Sequence, residues 1–242
     1  MSSPTSSVTG SRCVTVDTDD GVRLAGVVVH GFTGSIARPS FLRLAGWLRR
    51  FGEVRGSDAR GHGRSGGRSA VGGDPEVCDV AAARADGARA VVTVGMSLGG
   101  GVVLRQQKDP AAPTARRLAA GPCTGAGGTS ATPRRCGGCT GCSRRRSGGG
   151  WRRGRSGRGS TSWTAPPESP PAVVGRIAPT PLLFVHGDRD TYSPLDHLRA
   201  LVRAAGPTAT AWVVPGFGHA ESGATAPLVE RIGRRVSATI GP

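Results

Sequence analysis

Apolar residues fall along this chain in two rhythms, one of period two and one near 3.6, broken by a long stretch that has neither. Positions 13–16 (Cys-Val-Thr-Val) alternate as a strand, Asp19-Asp20-Gly21 is a turn signal, and 22–24 is placed to return as a hairpin partner. Val27-Val28-Val29 is a β-branched run of the kind found in strands covered on both faces. Over 41–50, Phe41, Leu42, Leu44, Ala45, Trp47 and Leu48 lie at helical spacing. A weak strand follows at 54–57, then a helix over 75–85 with proline in its first turn, the clearest strand at 90–94, and a helix opening at 100–106. After the break the pattern resumes with a strand at 181–185, a helix at 195–205 and a strand at 211–214. A last helix at 227–240 carries Leu228, Val229, Ile232 and Val236 on one face. Strands alternating with helices predict a mostly parallel α/β sheet with helices on both faces.

The break spans 110–171. It has no Val, Ile, Phe, Met or Tyr, and Leu118 is its one leucine. Ordering a residue costs roughly 1–2 kcal/mol of backbone entropy, and burial returns about 25 cal/mol per Å² of apolar surface. With so little to bury, this stretch is expected to be a disordered Arg/Gly-rich insert. The chain then divides into an N-terminal part at 13–107, the insert at 110–171 and a C-terminal part of the same domain at 172–242.

Charge sharpens that division. The 242 residues carry a formal net charge of +16 and an isoelectric point near 11.5, which first suggests an anionic partner. All but one of the 32 basic residues are arginine, Lys108 is the exception, and asparagine is absent, so the bias is that of a GC-rich gene. Between 110 and 167 there are eleven Arg and no acid, which leaves +5 for everything else. The Arg block lacks the aromatic interleaving that stacks on bases, beyond Trp151 and Trp163, so a solvated basic segment is preferred to a nucleic-acid interface. Residues 1–14 lack the basic start and apolar core of a leader, and no run approaches a spanning helix, so a cytoplasmic location is expected. The six cysteines are read as thiols there.

Three places carry chemistry. Gly95-Met96-Ser97-Leu98-Gly99 joins the 90–94 strand to the following helix, a G-x-S-x-G turn in which small flanking residues let strand and helix approach while the hydroxyl projects. Val29-His30-Gly31-Phe32 ends a strand in a turn whose N–H groups can face that serine. The N–H groups of Phe32 and Leu98 would make an oxyanion hole. Phe184-Val185-His186-Gly187-Asp188-Arg189-Asp190 and Gly216-Phe217-Gly218-His219 then place an acid and a histidine after successive strands. Two decoys are weighed and set aside. Gly61-His62-Gly63-Arg64-Ser65-Gly66 matches a dinucleotide fingerprint in letters, with Asp86 twenty residues on, but a loop follows where a helix is needed. Cys136, Cys139 and Cys142, with Cys123 nearby, have thiolate zinc spacing without a second spaced pair. No metal or cofactor is expected.

On these residues, with Asp58-Ala59-Arg60-Gly61-His62-Gly63-Arg64-Ser65, the chain resembles the α/β-hydrolase family of serine hydrolases, in its esterase and lipase branch. The resemblance implies Ser97 as nucleophile, His219 as general base and acid, and Asp190 as the acid that orients it; Asp188 is the rival, read as a turn or cap residue. It implies a small-molecule carboxylic ester as substrate. It also implies a further strand and a lid after the nucleophile helix. The sequence has neither in the expected style, so the sheet is expected to be incomplete and activity impaired. A degenerate hydrolase and an Arg-rich nucleic-acid-binding protein are the alternative readings. The close spacing of Leu24 and Val27 points to a second, smaller defect, a deletion between hairpin and strand. The interval from 110 to about 164 is read as frame-shifted. Resequencing the locus is expected to uncover an apolar strand pattern in a shifted frame, and its absence from both other frames removes that reading.

Overall fold

The computed structural model describes residues 13–16, 24–69, 71, 73–82, 90–107, 116–122 and 167–240. Within them lie seven strands: β1 (Cys13–Val16), β2 (Leu24–Val29), β3 (Glu53–Ser57), β4 (Ala90–Gly95), β5 (Arg116–Pro122), β6 (Leu182–Gly187) and β7 (Ala209–Val214). Six α-helices accompany them: α1 (Pro39–Leu48), α2 (Asp74–Ala82), α3 (Leu98–Gln107), α4 (Pro170–Val174), α5 (Leu195–Ala205) and α6 (Ala226–Ile240). The strands form one sheet in the order β1-β3-β2-β4-β5-β6-β7, parallel throughout except for β1, which runs antiparallel to β3.

The period-two pattern sorts the core into two layers. Val28, Val92, Val94, Leu183 and Val185 face α1 and α6, whose Phe41, Leu44, Leu228, Val229 and Val236 cover them. The alternate residues Val27, Val29, Val91, Leu182 and Phe184 face the other side, under Val80 of α2, Val102 and Val103 of α3, Val173 and Val174 of α4, and Leu198 and Leu201 of α5. Strands β2, β4 and β6 are thus buried on both faces, as their unbroken apolar runs require. The predicted α/β-hydrolase-type sheet with flanking helices is present.

Two expectations change. Leu24 is not the hairpin partner of the first strand: β1 pairs with β3, and Leu24 is the first residue of β2, while Val22 and Arg23 lie outside the described residues. Leu24 and Val27 thus belong to one continuous strand, not to two elements joined by a short connection. The second change is β5, inside the stretch that showed no strand pattern. It pairs with β4 from Ala90↔Arg116 to Val94↔Ala120 and with β6 from Ala119↔Leu182 to Pro122↔Val185. Ladder bonds belong to the backbone, so a segment whose one large apolar residue is Leu118 can still occupy the slot between two strands whose N–H and C=O groups need partners. The β5–β6 ladder is nonetheless short, four pairs against six for β6–β7. Most of the expected insert, including Cys123, Cys136, Cys139, Cys142 and all but two of its arginines, lies outside the described residues.

Boundaries move for local reasons. Helix α1 begins at Pro39, two residues before the first apolar position, because proline supplies the helical φ and needs no N–H partner in the first turn. Strand β7 begins at Ala209, since its outer position in the sheet leaves it half-covered and its pattern weak.

Leu183 is 2% exposed and belongs to the α1/α6 layer. Replacing it by alanine is expected to cost about 2–5 kcal/mol in chemical denaturation, and a loss under 1 kcal/mol would show that this layer is not close-packed.

Candidate active site

Four parallel strands deliver the candidate residues to one sheet edge, from the C-terminal ends of β2, β4, β6 and β7. Such an edge is where an open α/β sheet leaves room for a ligand. At its centre, β4 becomes α3 within two residues. The ladder continues one bond past the strand, with Met96 N–H donating to Val29 O at 3.0 Å, and the helix has begun by Leu98. Ser97 absorbs the reversal with φ +55°, a left-handed conformation that a non-glycine residue adopts only at a cost. The turn is as tight on its flank: a Cβ on Gly99 would lie 2.5 Å from Val29 O and 2.6 Å from His30 O, so only glycine lets α3 approach β2 this closely.

The structure brings Ser97, His219 and Asp190 together. Ser97 Oγ is 3.0 Å from His219 Nε2, and His219 Nδ1 lies 2.9 and 3.0 Å from the two Asp190 carboxylate oxygens. The carboxylate only accepts, so Nδ1 carries the proton and the Nε2 lone pair faces the serine hydroxyl. The Asp190 side chain is 2% exposed, and its Oδ1 also accepts from the N–H groups of Tyr192 (2.8 Å) and Ser193 (3.0 Å). These bonds replace the water a buried carboxylate gives up. Asp188 lies elsewhere: its Oδ1 accepts from Gly216 N–H at 2.7 Å, across to the loop that carries His219.

The separation between acid and histidine is set by backbone. Asp188 N–H donates to Val214 O at 3.2 Å and Arg189 N–H to Phe217 O at 3.1 Å, which extends the β6–β7 ladder into the two loops. Gly187 touches Phe217 O so closely that no side chain fits between them.

Phe32 follows a glycine that packs against Ser97, and Leu98 follows Ser97 directly in the chain. A Cβ placed on Gly31 would fall 2.7 Å from Ser97 Cβ and 3.4 Å from its Oγ, so the chain entering Phe32 runs against the serine. Leu98 is the first residue of α3, whose N-terminal N–H groups are unclaimed by the helix. Among the described residues neither Phe32 N–H nor Leu98 N–H meets a backbone acceptor. An electron-rich oxygen beside Ser97 Oγ is what such donors can hold.

A second network fixes this wall of the site, and sequence reading had assigned it no role. Asp58, at the end of β3, is buried; its Oδ1 accepts from Ile36 N–H and its Oδ2 from Arg64 N–H, each at 2.8 Å. Ser65 Oγ donates to Asp58 O at 2.6 Å. His30 is buried beside it, with Nε2 accepting from Ala59 N–H at 2.9 Å and Nδ1–H donating to Gly31 O at 2.8 Å. One partner can only donate and the other can only accept, so His30 is the neutral Nδ1–H tautomer. Burial pushes its pKa below the usual 6.5, and its neutral state means that the 4.0 Å approach of Nε2 to Asp58 Oδ1 is not an ion pair. The signal lay in Asp58 to Ser65, but bonds from side chain to backbone across 22 and 29 residues leave no periodic trace. The glycines at 61, 63 and 66 sit in turns preceding α2, with no helix opening on them as a dinucleotide site requires. Arg60 in this loop pairs bidentately with Asp79, at 2.8 and 2.7 Å, which raises its pKa and ties the loop to α2.

No protein-family model and no curated protein matches the sequence. Solved structures do match the fold. An esterase from Pyrococcus furiosus, Pf2001, aligns with TM-score 0.65 at 18% identity over 96% of this chain and 93% of its own. An α/β serine hydrolase homologue from Coxiella burnetii aligns with TM-score 0.58 at 17% identity over 97% and 96%. The chain has the α/β-hydrolase fold. No described helix is long and apolar enough to cross a membrane.

The His30 tautomer has a consequence for stability. Its pKa is lowered in the folded chain, so as pH falls the unfolded chain takes up the proton first. Stability is therefore retained above about pH 6.5 and lost below it, by up to about 1.4 kcal/mol per pH unit until the folded pKa is reached. Denaturant midpoints measured from pH 7.5 to 5.5 are expected to fall more steeply for the native chain than for His30→Gln. Parallel curves would remove His30 as the cause.

Proposed function

We propose that this chain is a serine hydrolase of a small carboxylic ester, with Ser97 as nucleophile, His219 as general base and then acid, and Asp190 as the residue that orients the imidazole. The observation that carries the reading is the 3.0 Å approach of His219 Nε2 to Ser97 Oγ while Nδ1 is held by a buried carboxylate. A serine hydroxyl is a weak nucleophile until a base accepts its proton, and this geometry supplies the base in the correct tautomer.

His219 takes the Oγ proton as Oγ bonds to the ester carbonyl carbon. The carbonyl oxygen becomes an oxyanion and accepts hydrogen bonds from the N–H groups of Phe32 and Leu98. The carbon–oxygen bond to the alcohol then breaks, and the imidazolium delivers its proton to the departing alcohol oxygen. Water repeats the sequence on the acyl-enzyme: His219 takes its proton, the hydroxide adds to the carbonyl carbon, and the carboxylic acid leaves as Ser97 regains its hydrogen. The buried Asp190 stabilises the imidazolium in both halves and never takes the proton itself. Esterase chemistry in the Pyrococcus furiosus structural neighbour supports the substrate class.

Labelling by a serine-directed fluorophosphonate tests the reading and separates it from a degenerate hydrolase. The folded native chain is expected to label and Ser97→Ala is not. Asp190→Asn is expected to lower kcat by about 10⁴, since the amide favours the wrong imidazole tautomer. A folded native sample that neither labels nor turns over any ester sinks the proposal.

A further inference from the structure

We infer that Tyr192 forms the wall against which the alcohol half of the substrate lies and that it selects esters of aromatic alcohols. This rests on the serine-hydrolase reading above. In that reaction the proton taken from Ser97 must be handed to the alcohol oxygen, so that oxygen has to come within hydrogen-bond distance of His219 Nε2. The alcohol group therefore departs beside the His219 ring. The ring already next to it is Tyr192, with centroids 4.7 Å apart and planes tilted by 50°.

Three observations point to a ligand surface. The Tyr192 N–H donates to Asp190 Oδ1, so the ring is carried on the same carboxylate that orients the histidine and is placed with it. Tyr192 is 72% exposed, so most of its surface is left open by the described residues. The chain is poor in aromatics, with five Phe, four Trp and one Tyr, yet the exposed Phe, Trp and Tyr residues among those described are Tyr192, beside His219, and Phe32, one residue after the glycine that packs against Ser97. Phe32 lies edge-on to His62, with centroids 6.0 Å apart, whereas Tyr192 is the more exposed ring and lies beside His219. A ring kept in water forgoes the burial that holds Phe41, Phe184 and Phe217 inside, and a ligand ring that covers it recovers that burial with an aromatic contact added.

The deciding comparison uses benzyl and cyclohexylmethyl esters of butanoic and octanoic acid, which match in acyl group and closely in alcohol size while differing in aromaticity. The native chain is expected to favour the benzyl ester about 3- to 10-fold in kcat/KM, mostly through KM. Tyr192→Leu is expected to bring the ratio near unity, and Tyr192→Phe to keep it. Turnover that depends on Ser97 but shows no benzyl preference, or a preference unchanged in Tyr192→Leu, overturns the inference and leaves the hydrolase reading standing. If neither ester is turned over and Ser97 does not label, the hydrolase reading fails, and the wall is then judged by binding. Because Tyr192 is the sole tyrosine, ¹³C-tyrosine labelling gives one ring resonance set. A shift with benzyl alcohol and none with cyclohexylmethanol supports an aromatic-alcohol site; equal shifts, or none, overturn it.

Discussion

A strand that must become a helix within two residues has to place a residue in a left-handed conformation, and here Ser97 holds it. The strain is of the order of 1–2 kcal/mol and is sustained by what surrounds it. The β2–β4 ladder fixes the incoming chain through Met96, α3 fixes the outgoing chain from Leu98, and Gly99 allows both to press against the end of β2. From this one reversal follow the projection of Oγ toward His219, the exposure of the Leu98 N–H, and the closeness of Phe32. Loosening it would move all three together.

The remaining groups are held by two independent devices of different kinds. Acid and histidine are linked through main-chain bonds that continue the β6–β7 ladder, so their separation is insensitive to most side chains in those loops. The turn that carries Gly31 and Phe32 is instead held by side chains, chiefly the Asp58 carboxylate and the neutral His30 ring. The first device is robust to pH; the second depends on a buried imidazole staying uncharged.

This difference also explains what the sequence could reveal. Strands β2, β4 and β6 were legible because burial on both faces demands unbroken apolar runs; Ser97 and Asp190 follow such runs at glycine-marked turns, and His219 follows the weaker β7 after Gly216 and Gly218. The β1–β3 pairing was not legible, since the turn signal at Asp19 to Gly21 describes local geometry and says nothing of a partner forty residues away. Strand β5 was hidden because its reason for existing lies in the backbone groups of β4 and β6 rather than in its own side chains. Tyr192 carried a signal, the sole tyrosine two residues beyond the acid, but its meaning depends on the ring beside it.

Ser97 and His219 are 122 residues apart, and the segment joining their halves of the sheet is the weakest-patterned strand. Ser97 and the N–H groups of Phe32 and Leu98 belong to one half, and His219 with the Asp190 carboxylate to the other. The 3.0 Å contact between Ser97 Oγ and His219 Nε2 therefore exists only in the completed sheet, with β6 and β7 in place beyond β5.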